Sequence, residues 1–102
     1  MKQPQALISL LLDKTAEYGD RSDAAMDLEA YDDDEVETAL GAIATDPNED
    51  PDLIDQSGES LAGIWCRKGR LDETVLKTMQ PAAYQVAIAI IEQRCPDLVK
   101  HA

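Results

Sequence analysis

Apolar residues recur at three- and four-residue spacing along most of this chain, in blocks bounded by residues that begin and end helices. Such spacing places the apolar side chains of one block along a single side of an α-helix. Aspartates and prolines stand where the helices would begin, and glycines or a Cys-Pro pair stand where they would end. The pattern therefore predicts an all-α fold, a compact bundle of about six helices.

Six helical segments follow from these boundaries. By residue number they are, in chain order, about 4–18, 20–31, 33–44, 51–68, 73–79 and 81–95. Gly19 is expected to end the first helix and Gly69 the fourth, because glycine adopts the left-handed conformation without strain. Gly58 and Ala62 would let a neighbouring helix approach the fourth one closely.

A chain of 102 residues is long enough for one hydrophobic core and too short for two. Its residues are 44% hydrophobic and include no Phe, so Leu, Ile, Val, Ala and Met must fill the core. That mixture suits helices better than sheets. We therefore expect a single acidic helical domain over residues 1–102.

No apolar run approaches the roughly 18 residues that a membrane-spanning helix needs. The apolar stretch at residues 6–12 is cut short by Asp13 and Lys14 and is followed by no small-residue cleavage site, so it is interpreted as a helix and not as a signal peptide. We expect a cytoplasmic protein with no membrane partner. In that setting Cys66 and Cys95 are expected to be buried reduced thiols, and a disulfide between them is the alternative.

An internal echo relates the third and fifth helices. In both, an acidic cap is followed by Val in the first turn and by a large apolar residue four positions later. The matched pairs, each 39 residues apart, are Asp33 and Asp72, Val36 and Val75, and Leu40 and Met79. This is the plan of stacked helical hairpins.

A longer pattern of small, apolar and acidic positions runs through residues 20–79. Its residues are Asp23-Ala24-Ala25, Leu28, Asp33-Asp34-Glu35-Val36, Ala39-Leu40, Ile43-Ala44, Asp46, Gly58-Glu59-Ser60-Leu61-Ala62 and Ile64-Trp65. The pattern resembles the HEAT-like repeat family, and the resemblance implies antiparallel helical hairpins of about 40 to 47 residues. Only about one and a half repeats are clear, and Glu37 stands where the family often has Arg, which implies a compact fragment and not a long solenoid.

The segment Gly58-Glu59-Ser60-Leu61-Ala62-Gly63-Ile64-Trp65, in a compact acidic helical chain, also looks like small bacterial immunity proteins. Those proteins neutralise the toxin domain of a competition system, including contact-dependent inhibition systems. This second resemblance implies a protein that binds and inhibits a toxin and that is not itself an enzyme.

The negative charge is confined to one half of the chain. Residues 13–59 hold 17 acidic and two basic residues, a net charge of −15, and the rest of the chain carries +3, which leaves −12 overall. An asymmetry of this size repels nucleic acid and membrane surfaces and steers basic proteins towards the acidic side. We therefore expect a basic protein partner and no direct binding of nucleic acid.

The acidic residues are densest where the third and fourth helices begin. If equivalent helix starts lie side by side in stacked hairpins, these carboxylates form one ridge. Two aromatic residues are candidate anchors, because interface hot spots favour aromatic side chains, although Trp65 also suits the core. The predicted partner-binding residues are Tyr31, Asp32, Asp33, Asp34, Glu35, Glu37, Asp50, Asp52, Asp55, Glu59 and Trp65.

These observations favour an inhibitory binding protein. We expect an immunity protein whose ridge occupies the Lys and Arg side chains with which a basic, nuclease-like toxin domain binds phosphate, so that the toxin's active or substrate-binding surface is occluded. A HEAT-like adaptor or assembly subunit without an inhibitory role is the alternative. Acidity that only confers solubility is a third interpretation.

Metal binding and catalysis are both disfavoured. Residues at alternate positions resemble a calcium loop, but Pro51 stands where an EF-hand turn needs Gly and Ser57 replaces the bidentate Glu; the candidate ligands are Asp46, Asn48, Asp50 and Asp52. His101 lies next to the end of the chain, and no nucleophile motif or Gly-rich phosphate loop occurs. We therefore expect no cofactor, no metal and no enzymatic activity.

Overall fold

Seven α-helices and one short 3-10 helix form the regular structure of residues 2–100, the part of the chain that the computed structural model describes. In chain order they are α1 (Gln5–Leu12), α2 (Tyr18–Asp27), the 3-10 helix (Leu28–Ala30), α3 (Asp34–Ala44), α4 (Pro51–Lys68), α5 (Glu73–Thr78), α6 (Pro81–Arg94) and α7 (Asp97–Lys100). No strand occurs within residues 2–100. None of these helices is both long and apolar enough to cross a membrane. The predicted all-α bundle is confirmed.

The first helix is shorter than predicted. α1 ends at Leu12, because the Asp13 carboxylate accepts hydrogen bonds from the backbone N–H of Thr15 at 2.9 Å and from its hydroxyl at 2.6 Å and so turns the chain. Gly19 lies inside α2 instead of ending α1. The prediction for Gly19 is wrong because a side-chain turn ends the helix before the glycine is reached.

The end of α4 and the starts of α4 and α5 agree with the caps that the sequence predicts. Gly69 ends α4 in the left-handed conformation, with φ 73°. Asp50 and Asp72 cap α4 and α5 by accepting backbone N–H bonds of the first turn, at 2.9 and 3.1 Å. Asp33 occupies the N-cap position of α3, but its side chain accepts no capping bond.

α3 and α4 form an antiparallel hairpin. Lys68, the last residue of α4, lies 3.5 Å from Asp34 at the start of α3 and 2.5 Å from Glu37 one turn later. One turn before Lys68, the Trp65 indole also reaches Glu37, at 2.9 Å. The start of α3 therefore lies beside the end of α4, and not beside its start.

α2 runs parallel to α4 on another side. The Ser60 hydroxyl donates to the Ala25 carbonyl at 2.8 Å, and Arg67 pairs with Asp32, beyond the 3-10 helix that follows α2. In both contacts the two residues are 35 positions apart, which fixes a parallel register. α1 packs on α2 and α3, so α1 and α3 form one layer over α2 and α4.

The core is centred on α4, which also packs on α6. Gly58 allows close approach, because a Cβ at this position would lie 2.7 Å from the backbone of Ala83 in α6. This confirms the close approach predicted at Gly58. The largest fully buried side chains of the core are Trp65, Leu11, Leu28, Leu40, Leu53, Leu61, Ile64, Ile91 and Val36.

Cys66 and Cys95 form a disulfide, so the expectation of two reduced thiols is wrong. Cys66 lies near the end of α4 and Cys95 directly follows α6. Gly58, the eighth residue of α4, lies against Ala83, the third residue of α6, and the disulfide joins the two helices again further along, so α4 and α6 run parallel. The Cα atoms of the cysteines are 5.5 Å apart, within the range that a disulfide spans.

Candidate functional site

The acidic residues at the start of α3 lie against the basic end of α4. Asp32 accepts two N–H bonds from Arg67, at 2.6 and 2.9 Å, and Lys68 contacts both Glu37 and Asp34. The hydrogen bond to Glu37 raises the pKa of Lys68 above its usual value. These carboxylates already have cationic partners within the chain, so they attract an external cation less than the sequence implies.

Trp65 lies in the core beneath this cluster. It is 1% exposed, and its Nε1–H donates to Glu37 at 2.9 Å. Tyr31 is half-buried, and its backbone carbonyl accepts an N–H bond from Arg67 at 3.4 Å. A surface anchor must be exposed in the free protein, so Trp65 is a core residue and not the anchor considered from the sequence.

The remaining predicted residues of this group are exposed. Asp33 precedes α3, and Glu35 in its first turn accepts a hydrogen bond from the Gln5 side chain at 3.3 Å. Gln5 belongs to α1, so this bond joins the two helices of one layer.

The predicted ridge is divided into two groups. Asp32, Asp34 and Glu37 lie beside the end of α4, whereas Asp50 and its neighbours lie at the start of the same helix. With 18 residues, α4 is about 27 Å long. The ridge was expected because helix starts were assumed to lie side by side, and the antiparallel hairpin places them at opposite ends.

The group in α4 lies beside acidic residues of α2 that were not among the predicted binding residues. Asp52, Asp55 and Glu59 follow one another along α4 at three- and four-residue spacing, and α2 carries a row with the same spacing. The parallel register sets Asp20 of α2 level with Asp55 of α4. We call the two rows the α2/α4 acidic face; its residues are Asp20, Asp23, Asp27, Asp52, Asp55 and Glu59.

All six carboxylates of the α2/α4 acidic face are exposed. None of them forms an ion pair with residues 2–99, whose side chains the structure describes. The spacing of the row in α2 could have been found in the sequence, but its position beside α4 depends on the parallel packing of two helices that are distant in the chain. The face therefore has charge to offer a partner, and so do the exposed Asp33 and Glu35, which also form no ion pair with residues 2–99.

Glu49 is an acidic residue that stabilises the fold and does not face solvent. Glu49, in the loop before α4, accepts bonds from both terminal nitrogens of Arg21, at 3.0 and 2.7 Å, and both side chains are almost completely buried. Arg21 also donates to the Leu11 carbonyl at 2.9 Å. The hydrogen bonds from Arg21 lower the pKa of Glu49 to about 2. The sequence signal was present: Arg21 lies three and four residues before Ala24 and Ala25, on the apolar side of α2.

The loop at residues 46–52, which resembles a calcium loop in sequence, contains Glu49 and is joined to Lys14 and Arg21 by ion pairs. Lys14 reaches Glu49 at 2.9 Å and Asp46 at 3.0 Å, and Asp46 also accepts the Asn48 backbone N–H at 2.9 Å. These bonds lower the pKa of Asp46 and raise that of Lys14. Over residues 2–100, no group of three or more His, Cys, Asp or Glu residues is arranged to hold a metal ion. His101, which was considered as a catalytic residue, lies outside the described residues.

Comparison with known proteins identifies no relative from which a function could be taken. No protein-family model, curated protein or solved structure gave a significant match to this chain. The charges and contacts described above are therefore the basis for a functional proposal.

Proposed function

We propose that the protein is an inhibitory binding protein, an immunity protein that neutralises a basic, nuclease-like toxin domain. The α2/α4 acidic face is the surface that meets the toxin. The observation that carries the proposal is that its six carboxylates are exposed and have no ion-pair partner among the side chains of residues 2–99. Charges that are not neutralised within the chain create the field that steers a basic protein and orients it.

The spacing of the face suits a surface that binds phosphates. Neighbouring carboxylates within one row are about 5–6 Å apart at their Cβ atoms, because residues three and four apart are neighbours on a helix. Packed helices lie about 8–10 Å apart, which sets the distance between the rows. A toxin that holds nucleic acid with lines of Lys and Arg would find carboxylates in place of phosphates and would lose access to its substrate.

The residues at the start of α3 have a smaller part in this proposal. Asp32, Asp34 and Glu37 are engaged by Arg67 and Lys68, so a partner would have to displace those cations. Asp33 and Glu35 are exposed and extend the acidic surface at that end. The strongest attraction is expected at Asp52, Asp55 and Glu59.

The disulfide sets a condition on the proposed cytoplasmic location. A nuclease acts where nucleic acid is found, and cytoplasmic thiols are generally kept reduced. The proposal therefore requires that the protein with Cys66 and Cys95 reduced still folds and still binds the toxin. Binding that is lost on addition of dithiothreitol would place the protein's activity in an oxidising compartment.

The proposal is tested by expressing the adjacent reading frame of the native host with and without this protein. We expect growth inhibition that this protein relieves, and a complex whose Kd rises with salt concentration. In the variant Asp55→Lys with Glu59→Lys, Kd should rise at least tenfold and protection should fail.

The matched control is Glu92→Lys with Asp97→Lys. These two acidic residues are also exposed, lie in α6 and α7, and change the net charge by the same amount. Kd for this control should change less than threefold. If both double variants weaken binding equally, the α2/α4 acidic face is not the binding surface. A stable assembly with a neighbouring gene product that is not toxic would favour the adaptor function.

A further inference from the structure

A cleft of about 700 Å³ opens between α3 and α5, away from the α2/α4 acidic face. Leu61 and Trp65 of α4, each 1% exposed, lie directly beneath its floor, and α3 forms one wall from Asp34 to its C-cap Thr45. Leu61 and Trp65 lie on a different side of α4 from Asp55, about 120° and about 80° around the helix axis, since successive helical residues turn by about 100°. A partner on the acidic face would leave this cleft open.

The α3 wall and the wall formed by α5 and its flanking loops contact each other at both ends of the cleft, and these contacts hold the walls in place. At one end the Gln80 backbone N–H donates to the Ala44 carbonyl at 2.9 Å, and the Gln80 side chain donates to the Thr45 carbonyl at 3.1 Å. At the other end Arg70 lies 3.9 Å from Asp34. Between these points α3 faces α5 at Gly41 and Val75. A Cβ added at Gly41 would lie 3.5 Å from the Val75 side chain, which is an ordinary van der Waals contact.

The charge of the lining is unbalanced. Four carboxylates face the cleft, from Asp34 and Glu37 on one wall and from Asp72 and Glu73 on the other, against the single guanidinium of Arg70. If Lys68 beside Glu37 is counted as well, acidic groups still outnumber basic ones by two to one. An occupant that complements this cleft carries positive charge towards the walls and apolar groups towards the floor.

We infer that the cleft between α3 and α5 is a second docking site, and that its occupant is a basic peptide segment of a protein partner, with Lys or Arg next to apolar residues. The cationic ends meet the exposed carboxylates of Asp72 and Glu73, and they compete with Lys68 and Arg70 for Asp34 and Glu37. The apolar side chains of the segment pack on the half-buried Leu71 and Val75. The volume lies within the about 300–1,000 Å³ typical of pockets that enclose a small ligand, so the segment is a few residues long.

Trp65 provides a reporter for this site. It is the only Trp of the chain, it lies at the cleft floor, and its indole N–H is bonded to Glu37 of the wall. A cation that approaches Glu37 changes the environment of that N–H. Occupation of the cleft should therefore shift the indole NMR resonance, whereas binding to the acidic face should leave it in place.

The test uses a labelled six-residue peptide of alternating lysine and leucine, with a glutamate–leucine peptide of equal length as the control probe. The full chain is titrated at low salt, with Kd from fluorescence anisotropy and the Trp65 indole followed by NMR. We expect saturable binding of the lysine peptide with a shift of the indole resonance, and no such shift with the glutamate peptide.

A pair of threonine variants separates position from charge. Thr38 lines the cleft and Thr74 does not, and both are exposed helical residues. Thr38→Lys should raise Kd at least tenfold, and Thr74→Lys, which adds the same charge, should change it no more than about threefold. Thermal unfolding of both variants should match the wild type, which verifies that neither has lost its fold.

Three results would overturn the inference: no saturable binding of the lysine peptide, saturation without a shift of the Trp65 indole, or equal weakening by Thr38→Lys and Thr74→Lys. The inference stands apart from the proposed function. Asp55→Lys with Glu59→Lys should abolish toxin binding and leave the peptide-induced indole shift intact, so either proposal can fail without the other.

Discussion

Glu49 and Asp55 are both acidic residues of the same half of the chain, but they have opposite surroundings. Glu49 is buried against Arg21 and accepts two N–H bonds from it. Asp55 is exposed and forms no ion pair with any residue of the described chain. The first carboxylate joins a loop to α2, and the second forms no ion pair that would join two described parts of the fold.

The net charge of −15 over residues 13–59 therefore comes from carboxylates in three different environments. Part of it is cancelled inside the fold by Arg21 and Lys14, part is met by Arg67 and Lys68 at the end of α4, and part remains free on the α2/α4 acidic face. Removal of a carboxylate should therefore affect stability in the first group and binding in the last.

The largest effect is expected for Glu49→Ala. This change leaves the Arg21 guanidinium buried without its partner, and breaking a buried pair in this way costs about 3–5 kcal/mol. The free energy of unfolding should be measured by urea denaturation, with Asp55→Ala as the exposed control. A loss below about 1 kcal/mol at Glu49 would remove the distinction between the two residues.

Acid should reproduce part of this loss without mutation. The pKa of Glu49 is lowered from 4.5 to about 2 in the folded protein, so its contribution is complete above pH 4.5 and is lost as pH falls towards 2. The shift corresponds to about 3 kcal/mol. Asp13 and Asp46, whose pKa values are also lowered, act in the same direction.

The contribution of Glu49 to this acid dependence is isolated with Glu49→Gln. The fall in the free energy of unfolding between pH 5 and pH 2.5 should be clearly smaller in this variant than in the wild type. An NMR titration of the Glu49 carboxyl carbon checks the pKa directly. A midpoint near the ordinary value of 4.5 would contradict the buried pairing.

Replacement of Glu37 should lower the free energy of unfolding by less than replacement of Glu49 and by more than replacement of Asp55. In Glu37→Ala the buried indole N–H of Trp65 loses its acceptor, which costs about 1–3 kcal/mol. Glu37→Gln keeps an acceptor and should lose less than half as much. Unfolding followed by the fluorescence of Trp65 measures both variants, and equal losses would show that the indole bond is not the cause.

The smallest change in stability is expected on the α2/α4 acidic face, where removal of charge should stabilise the protein. Asp55 and Glu59 are four residues apart on α4, where like charges repel by about 0.2–0.5 kcal/mol. Asp55→Asn with Glu59→Gln should therefore raise Tm by up to about 3 °C. A fall in Tm of more than a few degrees would mean that the face stabilises the fold, which would weaken the case for a binding role.

The sequence predicted most of the fold and less of the site. Helical spacing and caps located α3 to α6 and the end of α4 at Gly69, because these signals act within a few residues. The early end of α1 was missed, because the turn depends on the Asp13 side chain bonding to Thr15 in preference to continued helix.

The errors in the site share one physical origin. The division of the acidic ridge and the neighbours of Asp55 in α2 depend on which helices lie side by side and in which direction. Apolar spacing predicts which side of a helix is buried, but it does not predict which neighbouring helix covers that side. Arg21 was missed for another reason: the sequence places it on the apolar side of α2, and this signal of burial was not used.

The disulfide also limits how far this chain can be extended. Cys66 and Cys95 are 29 positions apart and joined, so pulling on the two termini cannot straighten the segment between them. At about 3.3–3.6 Å per extended residue, the oxidised chain reaches a contour length about 100 Å shorter than the reduced one. Under mechanical tension the first half of the molecule can be drawn out completely, while α4 and α6 stay tethered to each other.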